Sequence, residues 1–149
     1  ILPHMATAKV DSRLPYGLDP DTALARIRRH LDAEGFEDIV VRKLSGYPAA
    51  QTSVEAPIVQ AAIGVFNKYS HTPQVSPRLA GSAPFYQFTE RLGLPLVFAG
   101  FGHGSGAHAP NEYMVVTPAE GSSIAGLREI ERAYVDLMFA LASQRPITQ

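Results

Sequence analysis

Hydrophobic and polar residues alternate over residues 6–14. Ala6, Ala8, Val10, Ser12 and Leu14 fall on one side, and Thr7, Lys9, Asp11 and Arg13 on the other. A period of two predicts a half-buried strand with a polar outer face, on which Asp11 and Arg13 are neighbours. Pro15-Tyr16-Gly17 ends this strand, and Asp19-Pro20 supplies a helix N-cap followed by proline in the first turn. Leu24, Ile27 and Leu31 form the apolar stripe of that helix, Gly35 closes it, and Arg26, Arg28, Arg29 and His30 form its solvated side. Ile39-Val40-Val41 opens a second strand reaching Leu44, and residues 45–56, with Gly46 and Pro48, read as a linker.

Pro57 opens a second helix with Val59, Ala62, Ile63, Phe66 and Tyr69 on one face. A polar, proline-bearing loop covers residues 71–77, and Ser82 stands where it would cap a helix carrying Phe85, Phe88 and Leu92. Leu96-Val97-Phe98 is short enough for a buried strand, and Met114-Val115-Val116 is another brief apolar run. A long terminal helix begins near Ser122 or Ser123 and buries Leu127, Ile130, Tyr134, Leu137 and Leu141, leaving residues 144–149 to fray. The fold class is α/β, assembled from α+β pieces. The first strand–helix–strand unit exposes too much apolar sheet to stand alone and calls for a second half or another copy.

Composition narrows the chemistry. The 149 residues are 46% hydrophobic, with 13 basic against 14 acidic residues and a net charge of -1, so no electrostatic footprint for nucleic acid or an anionic membrane is present. No apolar run approaches the ~18 residues of a membrane span, and no signal-peptide pattern opens the chain. Without cysteine there is no disulfide and no thiolate site; a metal would be held by His, Asp or Glu. This usage is compatible with the cytoplasm.

The chemistry concentrates in residues 95–112. After the apolar run, Gly100, Gly102, Gly104 and Gly106 alternate with other residues and lead to His108, followed by Pro110, Asn111 and Glu112. Glycines let backbone pass close to a ligand, which suits the wall of a site. A plain surface turn with an incidental histidine is one reading. A dinucleotide fingerprint on Gly102, Gly104 and Ala107 is a second, but Ala109-Pro110 stand where a helix would have to open. A metal ligand at His108 is the third. His103 is a candidate for lining the same site, whereas His4, His30 and His71 lie in no motif and read as surface residues. No Ser sits in a G-x-S-x-G elbow.

The stretch G-F-G-H-G-S-G-A-H-A-P-N-E resembles the last motif block of the dinuclear zinc aminoacylase/carboxypeptidase superfamily. That group includes carboxypeptidase G, succinyl-diaminopimelate desuccinylase, acetylornithine deacetylase and carnosinase-type dipeptidases. Arg78-Leu79-Ala80-Gly81-Ser82-Ala83-Pro84 is similar to the dipeptidases' R-x-G-G-S-x-P block. Ile1-Leu2-Pro3, then Arg13-Leu14-Pro15, resembles the lid-domain strand with N-x-I-P and R-L-x-P; Leu2 replaces the isoleucine and Pro15 comes one place early. Ser45 stands where dipeptidase-like members often carry a histidine before Gly46, a departure from a carnosinase-like preference.

The resemblance implies the C-terminal part of a longer polypeptide. Residues 1–46 would be the second half of a ferredoxin-like lid/dimerisation domain, 47–56 a linker, and 57–149 the C-terminal part of a catalytic domain whose sheet is flanked by helices. It implies a zinc-dependent peptidase or amidohydrolase cleaving a small acylated amino acid or dipeptide, with two zinc ions in the intact enzyme. His108 would be a zinc ligand, Arg13 would hold the substrate carboxylate, Ser82 would contact substrate, and Arg78 would be a supporting charge. The resemblance assigns no catalytic residue to this chain and implies that the family's upstream metal-ligand and general-base blocks, H-x-D and Glu-Glu, lie outside it; Glu112 would fix the loop. The implied partners are the rest of its own polypeptide and a second copy through the lid, with neither nucleic acid nor membrane. The alternative is a non-catalytic dimerisation or ligand-binding module derived from such an enzyme.

Overall fold

Asp19 and Pro20 set the start of the first helix. The computed structural model describes residues 2–69, 72–79 and 81–143. In it α1 spans Pro20–Ala33, and the Asp19 carboxylate accepts the Thr22 backbone N–H at 2.8 Å. That bond satisfies a first-turn donor and holds the Asp19 carboxyl below the usual carboxylate range. At the other end Gly35 has φ +80°. Its N–H reaches Asp32 O at 3.2 Å and the Phe36 N–H reaches Leu31 O at 2.9 Å, a Schellman closure that only a left-handed residue allows.

The chain then runs back along α1. Arg28 donates to the Phe36 carbonyl at 2.8 Å and to the Ile39 carbonyl, while its Nε meets the Asp32 carboxylate at 2.9 Å. Farther on, Lys43 pairs with Asp21 in the first turn of the helix. A Cβ on Gly46 would lie 2.9 Å from Pro20 Cβ, so the return closes tightly against the helix start. Arg28 is therefore half-buried and clamps the return segment, not a solvated residue as its position on the helical wheel predicts. Its planar fork serves two carbonyls and a carboxylate at once.

The predicted strands at 6–14 and 39–44 do not form. Neither segment joins a ladder, and the expected inner-face residues Ala6, Ala8, Val10 and Ser12 are all exposed, Val10 at 80%. Alternation prepares a strand, but a strand exists only where a neighbour accepts its N–H groups and a layer covers its face. No ferredoxin-like sheet is present among the described residues, whose one sheet has two strands. The run at 96–98 is likewise not a strand: Leu96 N–H goes to Thr52 Oγ1 at 3.0 Å and Phe98 is 69% exposed.

The chain divides into two compact units, Ile1–Gln51 with Pro77–Leu94, and Thr52–Ser76 with Pro95–Gln149. The second contains α2 (Pro57–Lys68), β1 (Gly104–Ser105), β2 (Tyr113–Met114) and α3 (Leu127–Ala142). At a coarse level the architecture is mixed α/β, rich in helix, with a small antiparallel sheet of β1 and β2. The predicted loop residue His71, Ala80 of the Ser82 block, Ile1 and the fraying residues 144–149 lie outside the described residues.

Helices α2 and α3 pack together and hold the core. Val59, Ala61, Ala62 and Val65 of α2 are buried, as is Ala133 of α3, at 2% exposure. The long residues expected to fill the α3 face stay only partly covered, and Leu127 and Tyr134 are exposed. Small residues let the two backbones approach, so the seam runs through Ala133 and not through the leucine stripe. Helix α3 also starts later than its serines predict. Gly126 caps it, giving its N–H to Glu129 Oε2 at 3.0 Å, while Leu127 N–H is taken by Val116 O at 2.9 Å. A Cβ on Gly126 would stand 2.7 Å from that same carbonyl.

A polar clamp and an aromatic row flank the seam. Asp136 of α3 accepts from Lys68 Nζ and from the Tyr69 hydroxyl, both at 2.7 Å. Phe101 lies 4.6 Å from Phe66 and meets Tyr134 edge-on at 5.3 Å, ring centre to ring centre. No helix among the described residues is long and apolar enough to cross a membrane.

Two outcomes follow from the seam. The bond from Lys68, then that from Tyr69, lowers the Asp136 pKa, and the bond to Asp136 raises that of Lys68. The carboxylate's contribution is thus present above the ordinary Asp value of about 3.9 and is lost as pH falls through its lower folded value. The Lys68 contribution is complete below about 10.4 and is lost as pH rises through the raised folded value. Thermal unfolding followed from pH 2 to 7 should show an acid-side loss that Asp136→Asn flattens. Ala133→Leu should overpack the seam and cost roughly 1–3 kcal/mol by urea denaturation.

Candidate functional site

The glycine run is one leg of a β-hairpin. Gly104 pairs with Met114 and Ser105 with Tyr113, and Val115 N–H to His103 O at 2.9 Å extends the pairing. His103 therefore serves the ladder through its carbonyl. The strands can close this far only because Gly104 has no side chain: a Cβ there would stand 2.3 Å from Tyr113 O. Gly102 faces the helix instead, where a Cβ would meet Ile130 Cδ1 at 2.8 Å. Each glycine answers a different close approach.

Two consecutive turns make the tip. Ala109 N–H bonds Gly106 O at 2.8 Å, and Glu112 N–H bonds Ala109 O at 3.0 Å. The first turn places His108 at its third position with φ 67°, as a type II turn requires. In the second, Pro110 takes the position where its fixed φ is favoured. His108 is the one non-glycine residue with positive φ among the described residues. Left-handed backbone costs an ordinary side chain roughly 1–2 kcal/mol, and such strain recurs at ligand-holding positions. Glu112 Oε2 accepts the His108 backbone N–H at 3.2 Å, so this carboxylate fixes the loop and leaves the ring exposed.

His108 fits the role of a single zinc ligand: it is an accessible imidazole on a backbone braced by hydrogen bonds. Among the described residues no group of three or more His, Asp or Glu is placed to hold a metal ion.

The other predicted site residues lie in the first unit, whereas His108 lies in the second. Arg13 pairs with Asp11, Nε to Oδ1 at 3.3 Å, on an exposed surface. Its guanidinium is available for exchange to another carboxylate, since exposed pairs of this kind are weak. Arg78 is exposed. Ser82 does not cap a helix: the turn that follows is a five-residue π-helical segment, Gln87–Arg91, preceded by Tyr86. Phe88 and Leu92, expected on its buried face, are exposed. The Ser82 hydroxyl instead lies 2.6 Å from the Tyr47 hydroxyl.

Tyr47 and Tyr86 are the residues that sequence reasoning misses. Their rings stack with centres 5.7 Å apart and planes inclined by 16°. Gln87 Nε2 donates to the Tyr86 hydroxyl at 2.7 Å, and the Arg91 guanidinium sits 5.7 Å from the centre of the same ring. Tyr47 lies in the linker between Gly46 and Pro48, and no local pattern ties it to Ser82.

Two open clefts, of about 380 Å³ and 310 Å³, flank the α2–α3 seam. Lys68 and Asp136 line both, and neither cleft is lined by His108. No family model, curated protein or solved structure matches the chain.

The hairpin geometry separates two substitutions. Gly104→Ala should break the β1–β2 pairing and lower the melting temperature, because its Cβ meets backbone and nothing flexible. His108→Gly should leave the hairpin intact and raise stability by roughly 1 kcal/mol by relieving the positive φ. Amide exchange at Val115 reports on both.

Proposed function

We propose that these residues form the C-terminal portion of a zinc-dependent peptidase or amidohydrolase acting on a small acylated amino acid or dipeptide. One observation carries the reading: His108, the residue that the motif resemblance designates as a metal ligand, is held in a strained conformation at the tip of a braced hairpin. An incidental surface turn would favour glycine or asparagine at that position. The strain is supported on one side by the close β1–β2 pairing and on the other by Glu112.

Zinc, when bound, supplies positive charge that polarises an amide carbonyl. His108 would give that ion one imidazole nitrogen, and Glu112 keeps the loop from relaxing. Arg13 exchanges its exposed partner Asp11 for a substrate carboxylate, which its forked guanidinium suits. Ser82 offers a hydroxyl to the substrate. The general base and the remaining ligands would be supplied by the H-x-D and Glu-Glu blocks of an intact enzyme.

His108→Ala tests the reading in an intact protein that carries H-x-D and Glu-Glu blocks ahead of these residues. Bound zinc should fall from two ions to about one per chain, and turnover of N-acetyl amino acids or dipeptides by more than about 100-fold. Undiminished zinc and turnover would overturn the assignment. Full-length sequence lacking those blocks would favour the binding-module alternative.

A further inference from the structure

Tyr47 and Ser82 stand 35 positions apart in the sequence, yet their hydroxyls lie within 2.6 Å. We propose that Tyr47 is a positioning residue for Ser82, orienting its hydroxyl so that it donates to a hydrogen-bond acceptor on the substrate. The inference rests on the reading that Ser82 meets substrate, and it adds both the residue that aims Ser82 and the chemistry of the group that Ser82 contacts.

A phenol is a much stronger acid than an aliphatic alcohol, so in a pair at this distance Tyr47 is the better donor and Ser82 Oγ the better acceptor. The serine's own O–H is then polarised outward and left without a partner in the pair. A hydroxyl in that state favours a carboxylate or an amide carbonyl over an N–H group. The Tyr47 ring is half-buried and Ser82 exposed, so the inner residue aims the outer one. Tyr47 is itself fixed from behind. It stacks on Tyr86, whose hydroxyl is held by Gln87 and whose ring is flanked by the Arg91 guanidinium. A flat side chain locked by stacking loses little further freedom when it orients a neighbour. Ser82 itself caps no helix.

The test uses N-acetylglycine, which carries both an amide carbonyl and a carboxylate, titrated into the 149-residue chain. Chemical shifts of the Ser82 amide report binding, and thermal unfolding reports integrity. The wild type should saturate, Ser82→Ala should lose the response, and Tyr47→Phe, which keeps the stacked ring, should bind about tenfold more weakly. In the double variant Tyr47→Phe should add nothing to Ser82→Ala. Affinity unchanged in Tyr47→Phe but lost in Ser82→Ala would overturn the positioning role and leave Ser82 as a contact. A wild-type titration that leaves Ser82 unshifted, or Ser82→Ala binding as the wild type does, would overturn both. If Tyr47→Phe unfolds, replacing Tyr47 with the more acidic 3-fluorotyrosine takes its place: tighter binding supports the proposal, and unchanged binding overturns it.

Discussion

The second unit's hairpin depends on one missing atom. At Gly104 the strands come together so closely that any side chain would press on the Tyr113 carbonyl, and the pairing with Met114 follows from that proximity. Pairing fixes where β1 ends and β2 begins, which leaves a short span for the tip. Two turns fill that span, and the first forces His108 into left-handed backbone. The position of the candidate ligand is thus a consequence of steric permission at a residue four places earlier. Glu112 then completes the brace with its side chain.

The first unit uses a different device. Its helix is capped at both ends by local chemistry, Asp19 at the start and Gly35 at the close, and a guanidinium ties the return segment to it. Arg28 substitutes for the backbone ladder that the return segment lacks, because it satisfies two carbonyls that a neighbouring strand would otherwise take. Side-chain hydrogen bonds of this kind hold a segment against a helix without demanding a sheet.

Helices were legible in the sequence because their signals are local. Proline in the first turn marks α1 and α2, a capping aspartate and a closing glycine mark α1, and apolar periodicity marks the body of α3. Strands were not, because the alternation at 6–14 and the β-branched run at 39–41 specify only a preference, and pairing depends on a distant partner. The start of α3 was misplaced for a related reason. Ser122 and Ser123 have good capping chemistry, but the close approach of Val116 and Pro118 to Gly126 decides where the helix begins. Of the site, His108 and Glu112 stand out through their glycine-rich context, whereas the Tyr47–Ser82 contact joins residues with no spacing rule between them. The half-buried state of Arg28 escaped a helical-wheel reading, since the carbonyls it serves come from the chain beyond the helix.

The unladdered stretches have a consequence for how the molecule meets solvent over time. Backbone N–H groups along residues 2–14 have no carbonyl opposite them in a sheet, while those inside α2 and α3 are sequestered by helical bonds and a shared seam. In deuterated water the chain should therefore take up label in two waves, an immediate one from residues 2–14 and a much slower one from the helical pair.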